Sequence, residues 1–133
     1  MSSKHNSDEN SLPLLLKNLK KAFSKNIQGP IKHFEREYQA TTKKEFLKDI
    51  AKFLSNRGVK KLAGITAWKS NDELRLAYHF IAKIGSGFLD TKINIIIFTP
   101  LENAEIESIN SIFQTARIFE EEIKQEFQVE FSN

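Results

Sequence analysis

At 133 residues, 40% hydrophobic and 28% charged, the chain is long enough to bury one core and too ordinary in composition for a disordered or collagen-like protein. It has no cysteine, which excludes disulfides, thiolate zinc sites and cysteine-held iron–sulfur clusters within it. Its net charge of +3 hides an asymmetry: Met1–Leu62 holds 14 Lys and Arg against 6 Asp and Glu (+8), and Ala63–Asn133 holds 6 against 11 (−5).

Met1–Asn10 is polar, lacks the apolar core of a signal peptide, and is expected to be a disordered lead to one domain spanning 11–133. A helix is predicted from Ser11, which can cap it, with Pro13 in its first turn. Leu12, Leu15, Leu16, Leu19 and Phe23 make its apolar stripe, and Lys17, Lys20, Lys21 and Lys25 face outward. Gly29-Pro30 is expected to end this helix and to make it dispensable for the rest of the fold. Ile31–Ala40 then reads as a charged edge strand in which His33 is an exposed residue rather than a ligand.

Thr41 or Thr42 is expected to cap a second helix, with Glu45, three residues after Thr42, completing a capping box. Phe46, Leu47, Ile50, Phe53 and Leu54 are its core stripe, and Asn56-Arg57-Gly58 its stop, with glycine supplying the left-handed conformation. Three strands follow, near Lys61–Lys69, Glu73–Ala82 and Thr91–Phe98, the first two joined by a tight hairpin at Ser70-Asn71-Asp72. Ile84–Asp90 contains Gly85-Ser86-Gly87, but a strand follows, so no helix N-terminus is there to cradle a phosphate.

Thr99-Pro100 closes the apolar run Ile93–Phe98, and a long acidic amphipathic helix is predicted over Asn103–Phe131. Its stripe is Ile106, Ile109, Ile112, Phe113, Ala116, Phe119, Ile123 and Phe127; Glu120, Glu121 and Glu122 are read as a solvated or partner-facing surface. Consecutive helix positions diverge around the axis, so those three carboxylates cannot converge on one metal ion. No Ser-His-Asp or Cys-His arrangement can be assembled, and the longest apolar runs fall short of the ~20 residues of a membrane-spanning helix. The expected fold is α+β: two layers, a four-stranded mixed or antiparallel sheet with helices on one face, in the order α-β-α-β-β-β-α.

One stretch resembles a known pattern. Glu107-Ser108-Ile109-Asn110-Ser111-Ile112-Phe113-Gln114-Thr115-Ala116-Arg117-Ile118-Phe119-Glu120-Glu121-Glu122, followed by Phe127-Gln128-Val129, is similar to the signature of the 30-kDa subunits of respiratory complex I and their relatives in energy-converting hydrogenases. Gly64–Trp68 and Leu74–Phe80, with the dipeptide Tyr78-His79, resemble the strand pair of that family. The pattern departs where the family's Pro-Gly reads Gln114-Thr115, its tryptophan Ile118, its central arginine Glu121 and its late aspartate Gln125.

The resemblance implies a non-catalytic peripheral subunit, closest to the short form in membrane-bound nickel–iron hydrogenases of the energy-converting (Ech) type. It implies no catalytic residue, cofactor or metal in this chain; nickel–iron and iron–sulfur clusters would sit in a hydrogenase-like large subunit and a small iron–sulfur subunit. It implies a place on the cytoplasmic inner face of the cell membrane, reached only through partner subunits. The expected partner interface is Ile112, Phe113, Phe119, Glu120, Glu122 and Phe127, with Phe119 and Phe127 as the anchors. Three readings stand beside it. The chain could be the 30-kDa subunit of an NADH- or other donor:quinone oxidoreductase, or a nucleic-acid-binding module gripping through its basic half, although nucleic acid is not expected. A hydrolase would need a pocket bringing His79 to a carboxylate.

Overall fold

Strict alternation in Glu73–Ile84 and a run of β-branched residues in Leu89–Pro100 build the two longest strands, and the rest of the chain packs around that pair. The computed structural model describes residues 12–85 and 89–133; the expected lead, Ser11 and part of the glycine loop lie outside them. In chain order the elements are α1 (Leu14–Ala22), β1 (Ile27–Phe34), β2 (Glu37–Thr42), a 3₁₀ turn (Lys44–Phe46), α2 (Leu47–Asn56), β3 (Lys61–Ser70), β4 (Glu73–Ile84), β5 (Leu89–Pro100), β6 (Glu105–Glu107), α3 (Ala116–Phe127) and β7 (Glu130–Ser132). The main sheet has the order β1-β2-β5-β4-β3, antiparallel throughout except for the parallel pair β2–β5. A small parallel pair, β6–β7, stands apart from it.

Alternate residues of the central strands face one core. Leu74, Leu76, Tyr78 and Phe80 of β4 and Ile93, Ile95 and Ile97 of β5 cluster with Leu16 and Leu19 of α1, Ile50 and Leu54 of α2, and Ala116 and Ile123 of α3. The α+β class and the helices on one sheet face therefore agree with the sequence reading. Gly58 ends α2 as expected, at φ +94°: its N–H donates to the Ser55 carbonyl and that of Val59 to Leu54, a Schellman closure.

The sheet has five strands, not four. The single edge strand expected over Ile31–Ala40 is a hairpin, reversed at Glu35-Arg36, with Phe34 opposite Glu37. Arg36 takes φ +53°, and its carbonyl accepts from the Lys92 N–H at 2.9 Å. That anchor on a distant strand supports a turn that carries none of the usual turn residues. Gly29-Pro30 does not end α1, which stops at Ala22; it lies in an irregularity of β1 between Gln28 and Ile31. Proline is tolerated there because β1 is the sheet's edge.

Nor is α1 a detachable appendage. Leu16 and Leu19 are fully buried in the common core, and Phe23 meets Phe53 of α2 edge-on at 5.9 Å between ring centres. The capping box does not form either. Thr42 is the last residue of β2 and donates its hydroxyl to the Asn26 carbonyl, while α2 starts at Leu47 with no side-chain cap.

The largest departure is the last helix. Of Asn103–Phe131 only Ala116–Phe127 is α-helical. Asn103 turns left-handed at φ +57°, and Ile106 joins β6, opposite Phe131 of β7. Ile106, Ile109 and Phe113 are buried as the stripe required, but from strand and turn positions rather than from a helix.

Candidate docking surface

The signature stretch is held together by a buried carboxylate. Glu120, on α3, is only 4% exposed. The Ser108 hydroxyl donates to its Oε1 at 2.7 Å and the Ile109 N–H to its Oε2 at 3.1 Å. The Asn110 N–H donates in turn to the Ser108 hydroxyl oxygen at 3.1 Å. These bonds give the non-helical segment Ser108–Asn110 its partners and fasten it to α3. Burial raises the Glu120 pKa above the ordinary carboxylate value, against the lowering effect of the two hydrogen bonds. Tyr78, wholly buried on β4, is pushed well above the usual phenol value by burial and then by the charge of Glu120. Its hydroxyl has no hydrogen-bond partner among the described residues.

The expected interface residues therefore divide. Phe113 is 4% exposed and meets Phe80 at 5.0 Å between ring centres, so it serves the core. Glu120 is turned inward, which corrects its reading as part of a solvated acidic face. Ile112, Phe119 and Phe127 are half-buried against the core and keep an outer edge. Glu122 is exposed.

Sequence reasoning missed Ile118, which is 66% exposed. It stands between two shallow clefts, one shared with Asn110, Gln114 and Arg117, the other with Arg117, Glu121, Glu122 and Gln125. Its apolar side chain thus lies exposed beside the charged Arg117, Glu121 and Glu122. The available signal was the departure itself, since Ile118 occupies the position of the family's tryptophan.

The other sheet face carries a polar row. The Thr66 hydroxyl lies 2.9 Å from His79 Nε2, and His79 Nδ1 lies 2.7 Å from Asn94 Oδ1. Asn94 Nδ2 donates to Glu37 Oε2 at 2.9 Å. With Nδ1 protonated, every member of this row has a partner of the right polarity. His79 thus reaches a carboxylate only through the Asn94 amide, and both its ring nitrogens are engaged in cross-strand bonds, an arrangement that braces the sheet. His33 is exposed beside the Phe34 ring on β1. Among the described residues, no three His, Asp or Glu side chains gather to hold a metal ion. No helix among them is long and apolar enough to cross a membrane.

Residues 40–133 match the sequence pattern of the family described as the respiratory-chain NADH dehydrogenase 30 Kd subunit. No curated protein matches the chain. Two solved structures are similar to it in fold. One is a chain of the membrane-bound sulfane sulfur reductase, described as an archaeal respiratory membrane complex: 21% identity, TM-score 0.74, covering 88% of this chain and 68% of that one. The other is the trypsin-resistant fragment of Nqo5: 15% identity, TM-score 0.70, covering 86% of this chain and 92% of that one.

Proposed function

This chain belongs to the family of the 30-kDa subunit of respiratory-chain NADH dehydrogenase, and on that premise we propose that it is a non-catalytic peripheral subunit of a membrane-bound respiratory complex. The observation that carries the reading is the build of the signature region. Its serine and first glutamate are used internally, through Ser108 and Glu120, to hold a rigid scaffold. The outer face of α3 is left to meet a partner through Ile118, Glu121 and Glu122. The chain then acts as a brace: it orders the peripheral arm, while electrons and ions pass through the other subunits.

The finer reading is a complex of the energy-converting hydrogenase type, in which the partners are a hydrogenase-like large subunit with its nickel–iron centre and a small iron–sulfur subunit. The likeness in fold to a chain of the membrane-bound sulfane sulfur reductase, somewhat stronger than that to the Nqo5 fragment, is what supports that branch over a quinone-reducing complex. On this reading the chain sits on the cytoplasmic face of the membrane, attached through its partners.

The test is recovery of the complex through a tag on this chain. Ile118→Asp adds a charge to an exposed site, so the chain's own thermal transition should stay within about 0.5 kcal/mol of the parent. Co-purification of the large subunit should fall sharply, because a charge would face a desolvated contact. Glu121→Arg, which restores the family's residue, should be tolerated. Full recovery with Ile118→Asp would place the docking face elsewhere. Hydrogen evolution by the recovered complex would support the hydrogenase reading, and NADH:quinone reduction without it would support the other branch.

A further inference from the structure

Beyond the point where β2 stops pairing with β5, a cleft of about 420 Å³ opens at the corner of the sheet, away from α3. Its lining includes Lys25, Gln28, Thr41, Lys43, Arg75 and Phe98, and no carboxylate. The clefts beside α3 are different: there Arg117 shares one with Glu121 and Glu122. Like charges around one concavity repel each other, and a bound counter-charge relieves that repulsion.

The backbone that carries these cations is held in place. Arg75 stands in register between Trp68 of β3 and Phe98 of β5, its guanidinium 5.7 Å from the Phe98 ring centre. Its Nε is buried and has no hydrogen-bond partner among the described residues, which leaves the terminal nitrogens of the fork to meet a ligand. Among the described residues its ion pair is with Glu73 at 3.3 Å, both side chains more than a third exposed, so that pairing is weak and readily exchanged. The hydroxyl of Thr42 donates to the Asn26 carbonyl and ties the loop bearing Lys25 to the end of β2 beside Lys43.

We propose that this cleft is a binding site for a phosphate-bearing anion of two or more negative charges. A tetrahedral phosphoryl group offers oxygens in several directions and can accept from two ammonium groups and a guanidinium together; a planar carboxylate offers only two oxygens. The cleft is larger than one phosphoryl group, and Gln28, Thr41 and the Phe98 ring supply polar and apolar contacts for what the phosphate is attached to. The site lies away from the proposed docking face, so occupancy and assembly can be measured separately.

The test is calorimetric titration of the full chain at low salt, with the fluorescence of Trp68, the only tryptophan, as a second readout. One arm uses inorganic pyrophosphate; the other uses phosphatidylcholine vesicles with and without phosphatidic acid. Lys25→Gln with Lys43→Gln should weaken binding about tenfold or more, because two charge-assisted contacts are lost. Arg75→Lys should weaken it too, by removing the planar fork. The control pair Lys52→Gln with Lys60→Gln, on exposed positions elsewhere, should leave it unchanged. Pyrophosphate binding with this pattern supports a soluble phosphoester or phosphoanhydride ligand. Vesicle binding with the same pattern, and no pyrophosphate binding, supports a lipid-borne phosphate. No binding in either arm, or equal weakening by the control pair, overturns the site.

Discussion

The Ser108 hydroxyl donates at 2.7 Å to a Glu120 carboxylate that is 4% exposed, joining the segment before α3 to the helix itself. Both residues belong to the stretch that resembles the family signature, and their spacing of twelve residues places them on no common helical face. The bond exists because the chain between them folds back through the turns around Asn110–Phe113.

Removing that carboxylate should be costly. Glu120→Ala leaves the Ser108 hydroxyl and the Ile109 N–H without their acceptor in a buried place, and should destabilise the chain by about 3 kcal/mol. Glu122→Lys, on the exposed face, should change stability by no more than about 0.5 kcal/mol. Urea unfolding of the two variants separates them; equal costs would show that Glu120 is solvated in solution.

Glu120 also makes a pH prediction. Its folded pKa is raised above the ordinary carboxylate value of 4.5, so the native state holds its proton more tightly than the unfolded chain does. That contribution is full below the unfolded pKa and is lost as pH rises through the folded pKa. The stability of the parent relative to Glu120→Gln should therefore decline with rising pH above about 4.5 and then level off. A difference in urea midpoint that grows with pH over that window would reverse the assignment.

Two glycines with left-handed backbone should respond differently to alanine. Gly29 has φ +95°, and an added Cβ would lie 2.8 Å from the Gln39 carbonyl oxygen, so strain and a clash combine. Gly58 has φ +94° with nothing within 4 Å, leaving the backbone cost alone. Gly58→Ala should cost about 1 kcal/mol and Gly29→Ala clearly more. Thermal unfolding gives the order, and a milder effect at Gly29 would contradict the β1 geometry.

The first helix should be indispensable. Leu16→Ala empties a fully buried site and should cost about 3 kcal/mol, with Leu19→Ala similar. Phe113→Ala should fall in the same range or above it, since it removes the edge contact with Phe80. Deletion of residues 1–28 should abolish a cooperative transition, because it takes Leu16, Leu19 and Ile27 out of the core. A cooperative transition surviving that deletion would mean α1 is an accessory after all.

Local periodicity was enough to identify α2 with its Gly58 stop, the strands β3, β4 and β5, the hairpin at Asn71, and the apolar positions that fill the core. Each depends on neighbours within a few residues: the 3.6 repeat of α2, the alternation of β4 and the β-branched run of β5. The family was legible for the same reason, since its signature is one continuous stretch. What depended on distant partners was not legible. Arg36 turns only because Lys92 anchors its carbonyl, and Thr42 serves the sheet because Asn26 accepts its hydroxyl. Ile106 to Phe113 matched a helical stripe, yet pairing of β6 with β7 and the pull of Glu120 on Ser108 and Ile109 drew that segment into strand and turn. The candidate docking face shifted with it. Glu120 read as part of an acidic surface with Glu121 and Glu122, and only the tertiary fold, which supplied two donors in a dry place, made it a structural residue and left Ile118 outside.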